Sequence, residues 1–328
     1  MKSKLFGRTG RNVSQIGFGA WAIGAAWGEV NDEEAVAALH AALDNGMTFI
    51  DTADVYGNGH SEQLIAKVVK DRGGEKPYIA TKIGRKLPKQ SVAGYSMANI
   101  EDYLNQSLKN LETDTIDLVQ LHCPSTDLYD HPEVFERMDK MVAAGKIKNY
   151  GVSVERIDEA LKAITYPNVI SVQIIFNAFR QRPAEVFFKA AREKNIAVIA
   201  RVPLASGLLT GKFNADSKFE QSDHRLFNRN GEAFDVGETF SGVPYDVGLA
   251  AVERIRPLVS GNQTMAALAL RWILMFDAVT VVIPGARNPQ QAKSNAAAAL
   301  LPALSEDVMG KIKQIYDEDI KKHVHHRW

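Results

Sequence analysis

The chain has 328 residues, of which 45% are hydrophobic, enough to bury a large core. Its 39 basic and 39 acidic residues cancel, so charge gives no reason to expect nucleic acid or an anionic membrane as a partner. Cys123 is the single cysteine, and we find neither the apolar core of a signal peptide nor a membrane-spanning run. These totals predict a cytoplasmic protein with one domain, residues 1–328, and no disulfide.

Short apolar runs alternate with helix-period runs along almost the whole chain. The predicted strands cover residues 13–20, 48–53, 78–83, 117–122, 150–154, 169–176, 197–204 and 278–284. Several of them are continuously apolar, which is typical of parallel strands buried on both faces. This pattern predicts an α/β protein with a single (β/α)8 TIM barrel. A doubly wound sheet is the alternative.

Three segments lie outside the regular alternation. Gly7 and Gly10 predict an N-terminal hairpin that acts as a lid. Residues 205–245, before the eighth strand, are polar and glycine-rich but contain six aromatic residues, so we expect a functional loop that covers the substrate. Residues 288–299 and 305–318 predict two more helices, the last of them C-terminal to the barrel.

Polar residues stand at the ends of three consecutive predicted strands. They are Asp51, Lys82 and His122, and Tyr56 lies on the loop that follows Asp51. The strand ends of a barrel converge on one face, so these side chains should meet. A lysine ammonium beside a tyrosine lowers the phenol pKa, and a carboxylate keeps the lysine charged and oriented. The group suits protonation of a developing alkoxide.

Each of these residues alone also has a plain structural explanation. An Asp–Lys pair at a strand end is more often structural than catalytic, and a single histidine is often only hydrogen-bonded. Their shared position on one rim favours function. The sequence contains no convincing metal-ligand spacing, and this chemistry requires no metal.

Several separated motifs resemble the aldo-keto reductases. They are FIDTADVYGNGHSE, IATKIG, VQLHCP, PLASGLLTGKF and VIPGARNPQQAKSN, and they occur in the family's order between residues 5 and 295. Members are barrel enzymes that use a nicotinamide cofactor without a Rossmann domain. The resemblance implies NADPH-dependent reduction of a small aldehyde or ketone to the alcohol.

The resemblance also assigns roles to individual residues. It implies a catalytic tetrad of Asp51, Tyr56, Lys82 and His122, with Tyr56 as general acid, and a substrate site formed by Trp21, Tyr56 and His122. It implies that the cofactor contacts Ala20, Trp21, Asp51, Ser153, Gln173, Phe176, Leu204, Ser206, Gly207, Lys212, Gly285, Arg287, Gln291 and Asn295. In this set Ser153 and Gln173 hold the carboxamide and Phe176 stacks on the nicotinamide ring. A guanidinium at Arg287 favours the 2′-phosphate of NADP over NAD.

Three positions depart from the family pattern. Val154 replaces a common asparagine, so one hydrogen bond to the carboxamide is either missing or supplied by another group such as the backbone. Arg201 and Val202 stand where Tyr-Ser is common. We expect Arg201 to face away from the cofactor, whereas an inward Arg201 would change the phosphate or substrate end of the site. Gln291 replaces a frequent arginine, so Arg287 would bind the 2′-phosphate alone.

Two other functions remain open from the sequence. The family resembles the β-subunits of voltage-gated potassium channels, so the chain could be a cofactor-binding regulatory subunit with slow turnover. A barrel enzyme that forms a Schiff base through Lys82 is the third alternative, and the adjacent tyrosine and histidine argue against it.

Overall fold

The computed structural model describes residues 1–24, 27–28 and 31–328. Eight parallel strands, β3 to β10, form one sheet in chain order. The strands are β1 (Ser3–Leu5), β2 (Asn12–Ser14), β3 (Phe18–Gly19), β4 (Phe49–Asp51), β5 (Tyr78–Ile83), β6 (Leu118–His122), β7 (Tyr150–Ser153), β8 (Val169–Ile175), β9 (Ala197–Arg201) and β10 (Val279–Val282). The sheet closes on itself because the Gly17 and Gly19 amides donate to the carbonyls of Val282 and Pro284, at 2.8 and 3.0 Å. The predicted (β/α)8 barrel is confirmed.

The longer helices surround this barrel and cover its outer face, and shorter ones lie in the connecting segments. They are α1 (Trp21–Gly24), α2 (Asp32–Asp44), α3 (His60–Arg72), α4 (Met97–Asn110), α5 (Pro132–Ala143), α6 (Ile157–Ala163), α7 (Arg182–Glu193), α8 (His224–Phe227), α9 (Tyr245–Ile255), α10 (Met265–Ile273), α11 (Pro289–Ala298), α12 (Glu306–Ile315) and α13 (Lys321–Val324). Outward strand residues such as Ile50 and Val119 share one buried cluster with helical residues such as Leu39 and Leu104. Among the described residues, no helix combines the length and apolar character needed to cross a bilayer.

The N-terminal hairpin seals the end of the barrel opposite the predicted site. β1 and β2 pair antiparallel, with Ser3 opposite Ser14. The turn between them places the Phe6 ring 5.4 Å from Phe49 and 5.0 Å from Tyr78, which begin β4 and β5. The hairpin is therefore a plug at the amino-terminal end of the strands, whereas the sequence had indicated a lid.

The first predicted strand, residues 13–20, divides into two parts. Residues 12–14 belong to the hairpin, and only residues 18–19 form the barrel strand β3. Ser14 marks the separation: its hydroxyl donates to the Ile16 carbonyl at 2.7 Å and accepts from the Thr48 amide at 2.8 Å. A side chain that bonds to nearby backbone in this way competes with a regular strand ladder.

The long segment before β10 folds over the carboxyl ends of the strands. It contains short 3-10 turns at Ala205–Thr210, Val236–Glu238 and Phe240–Gly242, and the single-turn helix α8. Its outer part packs on the C-terminal residue, since the Trp328 indole donates to Asp235 Oδ1 at 3.0 Å. The Arg180 guanidinium lies 3.8 Å from the centre of the Trp328 ring. The long loop thus covers the carboxyl ends of the strands, with the C-terminal residue as its support, and its role over a substrate stays a prediction.

Replacement of Phe6 by alanine should destabilise the protein by about 3–5 kcal/mol, because Phe6 is completely buried at the bottom of the barrel. The measurement is urea-induced unfolding followed by circular dichroism. Leu5→Ala is the matched control, since Leu5 is 55% exposed and its truncation should change the free energy of unfolding by less than about 0.5 kcal/mol. Equal losses in the two variants would contradict the plug assignment.

Candidate active site

A buried ion pair joins the ends of β4 and β5. Lys82 Nζ lies 2.7 Å from Asp51 Oδ2 and 2.7 Å from the Thr52 carbonyl oxygen, to both of which it donates. It also donates to the Tyr56 hydroxyl at 3.2 Å. Asp51 and Lys82 are 3% and 1% exposed. The structure therefore brings three of the four predicted catalytic residues into direct contact.

The second oxygen of Asp51 is paired inside the barrel. Gln173 Nε2 on β8 and Gln120 Nε2 on β6 both donate to Asp51 Oδ1, at 2.7 and 3.2 Å. A buried carboxylate is costly unless each of its oxygens finds a partner. These two amides, together with Lys82, satisfy that requirement and fix the carboxylate in place.

The turn after β4 carries Tyr56 to the ammonium group. Gly57 has φ +59°, and a Cβ at that position would lie 2.4 Å from the Gly24 carbonyl oxygen. Gly59 follows with φ +96°, and helix α3 begins at the next residue, His60. Left-handed conformations at a site with no space for a side chain require glycine. The Gly-Asn-Gly sequence is thus what allows the chain to reverse immediately after the tyrosine.

The net pKa shift of Tyr56 is opposite to the one that the sequence indicated. Burial raises the pKa of the phenol, and although the Lys82 ammonium opposes this rise, the charges on Asp51 and Glu238 add to it. Lys82 stays protonated, because Asp51 and Tyr56 raise its pKa above the ordinary value although burial lowers it. Tyr56 is therefore fully protonated at neutral pH beside a charged lysine.

His122 completes the group from the end of β6. Its ring centre lies 6.0 Å from that of Tyr56, with the two planes at 84°. Burial lowers the pKa of His122 well below its ordinary value, and the nearby positive charges of Arg85, Lys82 and Arg201 lower it further. Within the described part of the chain, its Nδ1 atom has no hydrogen-bond partner. The histidine is therefore neutral and can orient a ligand oxygen without carrying charge.

Trp21 forms one wall above Tyr56. The two rings are stacked, with centres 6.1 Å apart and an angle of 18° between the planes. From the long loop, His224 lies 4.7 Å and Phe234 6.1 Å from the Trp21 ring. Aromatic residues of the long loop thus lie above Trp21, and a role for them in covering a substrate stays a prediction. His224 was not expected from the sequence, because a histidine in a polar loop gives no periodic signal.

Three residues expected to contact the cofactor, Ser153, Gln173 and Ala20, lie close to the predicted tetrad and make hydrogen bonds within the protein. Ser153 is buried, with its hydroxyl 3.3 Å from Cys123 Sγ. The Nε2 atom of Gln173 donates to Asp51 Oδ1 at 2.7 Å and to Gln120 Oε1 at 3.2 Å. Ala20 is buried and its amide donates to the Asp51 carbonyl at 2.8 Å. All three therefore lie beside the predicted tetrad.

Phe176 does not lie on the rim of the barrel. It is completely buried, and its ring packs at 4.7 to 5.2 Å against Phe188, Trp272 and Phe276. With no exposed face, the ring is not available to stack on a nicotinamide in this structure. The assignment from the resemblance is corrected here, because Phe176 points outward from β8 into the helical layer.

Arg201 also lies on the opposite side from the one expected. Its side chain enters the carboxyl end of the barrel, where Nη2 donates to the Val154 carbonyl at 3.1 Å and to Glu155 Oε2 at 2.7 Å. It is 7% exposed. Ala197 and Ile199 on the same strand also face the barrel interior, so strand alternation accounts for the inward direction.

Two backbone features suit the phosphates and the adenosine end of a dinucleotide. After β9, Ser206 and Gly207 adopt left-handed conformations beside Leu204, while Lys212 is exposed beyond the turn. At the other feature, α11 starts next to Arg287, whose amide donates to Gln291 Oε1 at 2.8 Å. Asn295 on this helix donates to the Gly285 carbonyl at 3.1 Å. Left-handed backbone turns and helix starts present backbone N–H groups that attract phosphate, so these two features are compatible with such a cofactor.

Comparison with known proteins agrees with this geometry. Residues 15–317 match the model of the aldo/keto reductase family. The chain belongs to this family. It is 32% identical over 291 residues to the aldo-keto reductase YhdN of Bacillus subtilis, covering 87% of this chain and 85% of the relative.

Other relatives of this aldo/keto reductase have different descriptions. The fission yeast aldo-keto reductase yakc [NADP(+)] is 30% identical over 314 residues, covering 93% of this chain and 89% of the relative. A probable voltage-gated potassium channel subunit beta of Arabidopsis thaliana is 28% identical over 340 residues and covers 98% of each. The holo form of aldo-keto reductase AKR11C1 from Bacillus halodurans superposes with a TM-score of 0.75, at 26% identity and 96% coverage of both chains.

The neutral state of His122 predicts a pH-dependent part of the stability. Below pH 6.5 the histidine binds a proton in the unfolded chain but not in the native protein, so its contribution falls as the pH falls. The loss approaches about 1.4 kcal/mol per pH unit. Urea unfolding measures the free energy of unfolding of the parent and of the His122→Gln variant between pH 6.5 and 5. As the pH falls, the variant minus parent difference should increase by about 1.4 kcal/mol per pH unit.

Comparison with the parent is essential in this experiment. Burial raises the pKa of Asp54 and of Glu155 to about 7, and both carboxyls act in the opposite sense over the same pH range. These contributions cancel in the difference between the two proteins. Parallel stability curves would show that His122 is protonated in the native state.

Proposed function

We propose that this aldo/keto reductase catalyses the NADPH-dependent reduction of an aldehyde or ketone, with Tyr56 as the general acid. The observation that carries the proposal is the double contact of Lys82 Nζ, 2.7 Å from Asp51 Oδ2 and 3.2 Å from the Tyr56 hydroxyl. A purely structural ion pair would not need a tyrosine hydroxyl as its third partner. The neutral His122 beside that hydroxyl supports the same role.

The proton chemistry follows from the charges around the phenol. NADPH, when bound, would supply the hydride for the carbonyl carbon. Tyr56 holds its proton until negative charge develops on the substrate oxygen, because burial keeps the phenol protonated. The phenolate that remains after proton transfer lies beside the Lys82 ammonium, which stabilises it. His122, being neutral, can donate a hydrogen bond to the same oxygen without competing for the proton.

The cofactor is proposed to lie along the carboxyl ends of the strands. Ser153 and Gln173 border its carboxamide end, and the turn at Ser206 and Gly207 lies along the pyrophosphate. Arg287 at the start of α11 is proposed to contact the 2′-phosphate. This placement is supported by the fit of the two backbone features to anionic groups, and by the NADP(+) in the name of the yeast relative.

Replacement of Tyr56 by phenylalanine should lower kcat for aldehyde reduction by about 10²- to 10⁴-fold, because the general acid is lost. The affinity for NADPH, measured by fluorescence titration, should change by less than about twofold. Tyr103→Phe is the matched control, since Tyr103 lies on α4 outside the site and its variant should keep the parent rate. An unchanged rate in Tyr56→Phe would disprove the assignment of the proton donor.

Replacement of Arg287 by alanine should weaken NADPH binding by about ten- to a hundredfold, the usual effect of one charge-assisted hydrogen bond. NADH binding should change much less, because NADH lacks the 2′-phosphate. Lys293→Ala removes another positive charge from α11 and serves as the control, with little effect on either cofactor. Equal losses for NADPH and NADH in Arg287→Ala would remove the 2′-phosphate role.

A second candidate is a cofactor-binding regulatory subunit. The observation in its favour is the end-to-end match to the plant protein described as a probable channel subunit beta. The intact contact between Lys82 and Tyr56 favours an enzyme. Negligible turnover on a panel of aldehydes and ketones, together with co-purification with a membrane complex, would favour the regulatory role instead.

A further inference from the structure

Two arginines and two glutamates form a cluster at the carboxyl ends of the strands, in which Arg201 and Glu238 are buried and Arg85 and Glu155 are partly buried. We call it the Arg85–Arg201 cluster, and its members are Arg85, Glu155, Arg201 and Glu238. Arg201 Nη2 lies 2.7 Å from Glu155 Oε2, and Arg201 Nη1 lies 3.3 Å from Glu238 Oε1. Arg85 Nη2 lies 3.4 Å from Glu155 Oε1 and also pairs closely with Glu238 Oε1. The tetrad does not use any of these four side chains.

Both arginines bind the carboxylate of Glu238. Arg85 donates to its two oxygens, through Nη2 to Oε1 and through Nη1 to Oε2, the latter at 3.3 Å. Arg201 approaches Oε1 from the other side. Paired contacts between a guanidinium and a carboxylate are the geometry with which proteins recognise carboxylate ligands. Burial raises the pKa of Glu238, but Arg85 and Arg201 outweigh it and hold the pKa below its ordinary value.

The cluster members come from different kinds of structure. Arg201 ends β9, Arg85 and Glu155 follow the ends of β5 and β7, but Glu238 comes from the short turn Val236–Glu238 in the covering loop. Its backbone oxygen is held by Ser206 Oγ at 3.0 Å. The two arginines thus belong to the barrel rim, and the carboxylate that they bind belongs to the loop. Covering loops of this kind open and close around substrates more readily than barrel strands move.

The cluster lies next to the catalytic group. Arg201 Nη2 is 3.6 Å from the sulfur of Cys123, the residue after His122. The Arg85 guanidinium is 5.7 Å from the ring centre of Phe234, which in turn packs against Trp21. A ligand group bound by the two arginines would therefore be close to a carbonyl held between Tyr56 and His122.

Glu238 is the main counter-ion of the cluster. Both guanidinium groups pair with its carboxylate, and withdrawal of Glu238 leaves them facing Glu155, whose pKa burial raises to about 7. Arg201 Nε is also buried without an acceptor among the residues that the structure describes. Buried, unbalanced charge is costly, so the site favours a replacement anion. A metal ion is a poor alternative: Cys123, Glu155 and Glu238 come within 4.8 Å of one another, but both carboxylates already pair with guanidinium groups.

We propose that Arg85 and Arg201 form a subsite for the carboxylate of an anionic carbonyl substrate, and that Glu238 occupies this subsite when no substrate is bound. The inference rests on the proposed reductase activity and specifies its substrate class. Glu238 acts as an internal substitute for the ligand carboxylate, and the covering loop releases it when the substrate enters.

The first test compares pairs of aldehydes that differ only in charge. The pairs are 3-carboxybenzaldehyde with 3-formylbenzamide and 4-carboxybenzaldehyde with 4-formylbenzamide, each assayed with NADPH. For at least one pair, kcat/KM should be tenfold or more higher for the carboxylate than for the amide. Equal values within twofold in both pairs, with all four aldehydes reduced, would overturn the subsite and leave the reductase activity standing.

Variants then locate the preference. Arg201→Gln and Arg85→Gln should each lower the ratio of carboxylate to amide kcat/KM by at least fivefold. Glu238→Gln, which keeps the side-chain shape, should lower KM for the carboxylate at least threefold because the internal competitor is neutral. Glu318→Gln is the matched control, since it breaks an exposed pair with Arg254 at 2.6 Å and should leave the ratio unchanged. An unchanged ratio in all three cluster variants would refute the proposal.

A binding measurement tests the carboxylate subsite independently of catalysis. Benzoate and benzamide are titrated into the NADPH-loaded protein by calorimetry, and benzoate should bind at least tenfold more tightly. Glu238→Gln should strengthen benzoate binding at least threefold, and Arg201→Gln should weaken it tenfold. If no aldehyde is reduced, the reductase proposal fails, while this titration still supports or overturns the subsite.

The remaining source of an anionic ligand is the cofactor itself. NADPH affinity is therefore measured for Arg85→Gln and Arg201→Gln by fluorescence titration. It should change less than threefold. If NADPH binding weakens as much as benzoate binding does, the arginines serve the cofactor and the substrate subsite is refuted.

Discussion

The contact between Lys82 and Asp51 is the interaction on which the site depends. An ammonium group buried without a partner costs several kcal/mol, and only a fixed carboxylate at 2.7 Å makes its position tenable. The barrel provides that carboxylate because β4 and β5 are parallel neighbours. Their last inward-facing residues, Asp51 and Lys82, therefore lie side by side at the carboxyl end of the barrel. Gln120 and Gln173 then occupy the other oxygen of Asp51. Four strands thus cooperate to hold one positive charge beside one phenol.

The same barrel end also explains how the site is closed. Above the predicted tetrad, Trp21 meets His224 and Phe234 from the covering loop, so that this side of the site is aromatic. Beside the tetrad, Glu238 of the same loop meets two arginines of the rim. One loop therefore contributes both an apolar wall and a charged contact. Trp328 braces the outer side of this loop through Asp235, which links closure of the site to the C-terminal residue.

The tetrad could be predicted from the sequence because its signal is local. Asp51, Lys82 and His122 each end an apolar run, and strands of a barrel bring such ends together. The direction of the Tyr56 pKa shift could not be predicted in this way. It depends on how deeply the ring is buried and on Glu238, a residue 182 positions further along the chain, that no local pattern connects with Tyr56. The sequence identifies the neighbours of a group more readily than its dielectric surroundings.

Phe176 and Arg201 show a different kind of error. On β8, Gln173 faces the barrel interior, so Phe176, three residues later, must face the helices. On β9, Ile199 faces inward and Arg201 therefore does too. Strand alternation contained both answers. The family resemblance overruled it for Phe176, and the outward direction expected for Arg201 did not take it into account. Neither strand alternation nor the family resemblance could predict the ion pair between Arg201 and Glu238. The covering loop that carries Glu238 has no periodic pattern that would fix the position of its side chains.

The central claim is that the Lys82 ammonium, held by Asp51, makes the Tyr56 phenol more acidic than its burial alone would allow. Its most direct measurement is the titration of a fluorinated tyrosine placed at position 56, followed by 19F NMR in the parent protein and in a Lys82→Met variant. Fluorination lowers the phenol pKa into the range where the protein stays folded. The account predicts that the pKa of this residue is at least one unit higher in Lys82→Met than in the parent. An equal or lower pKa in the variant would contradict it.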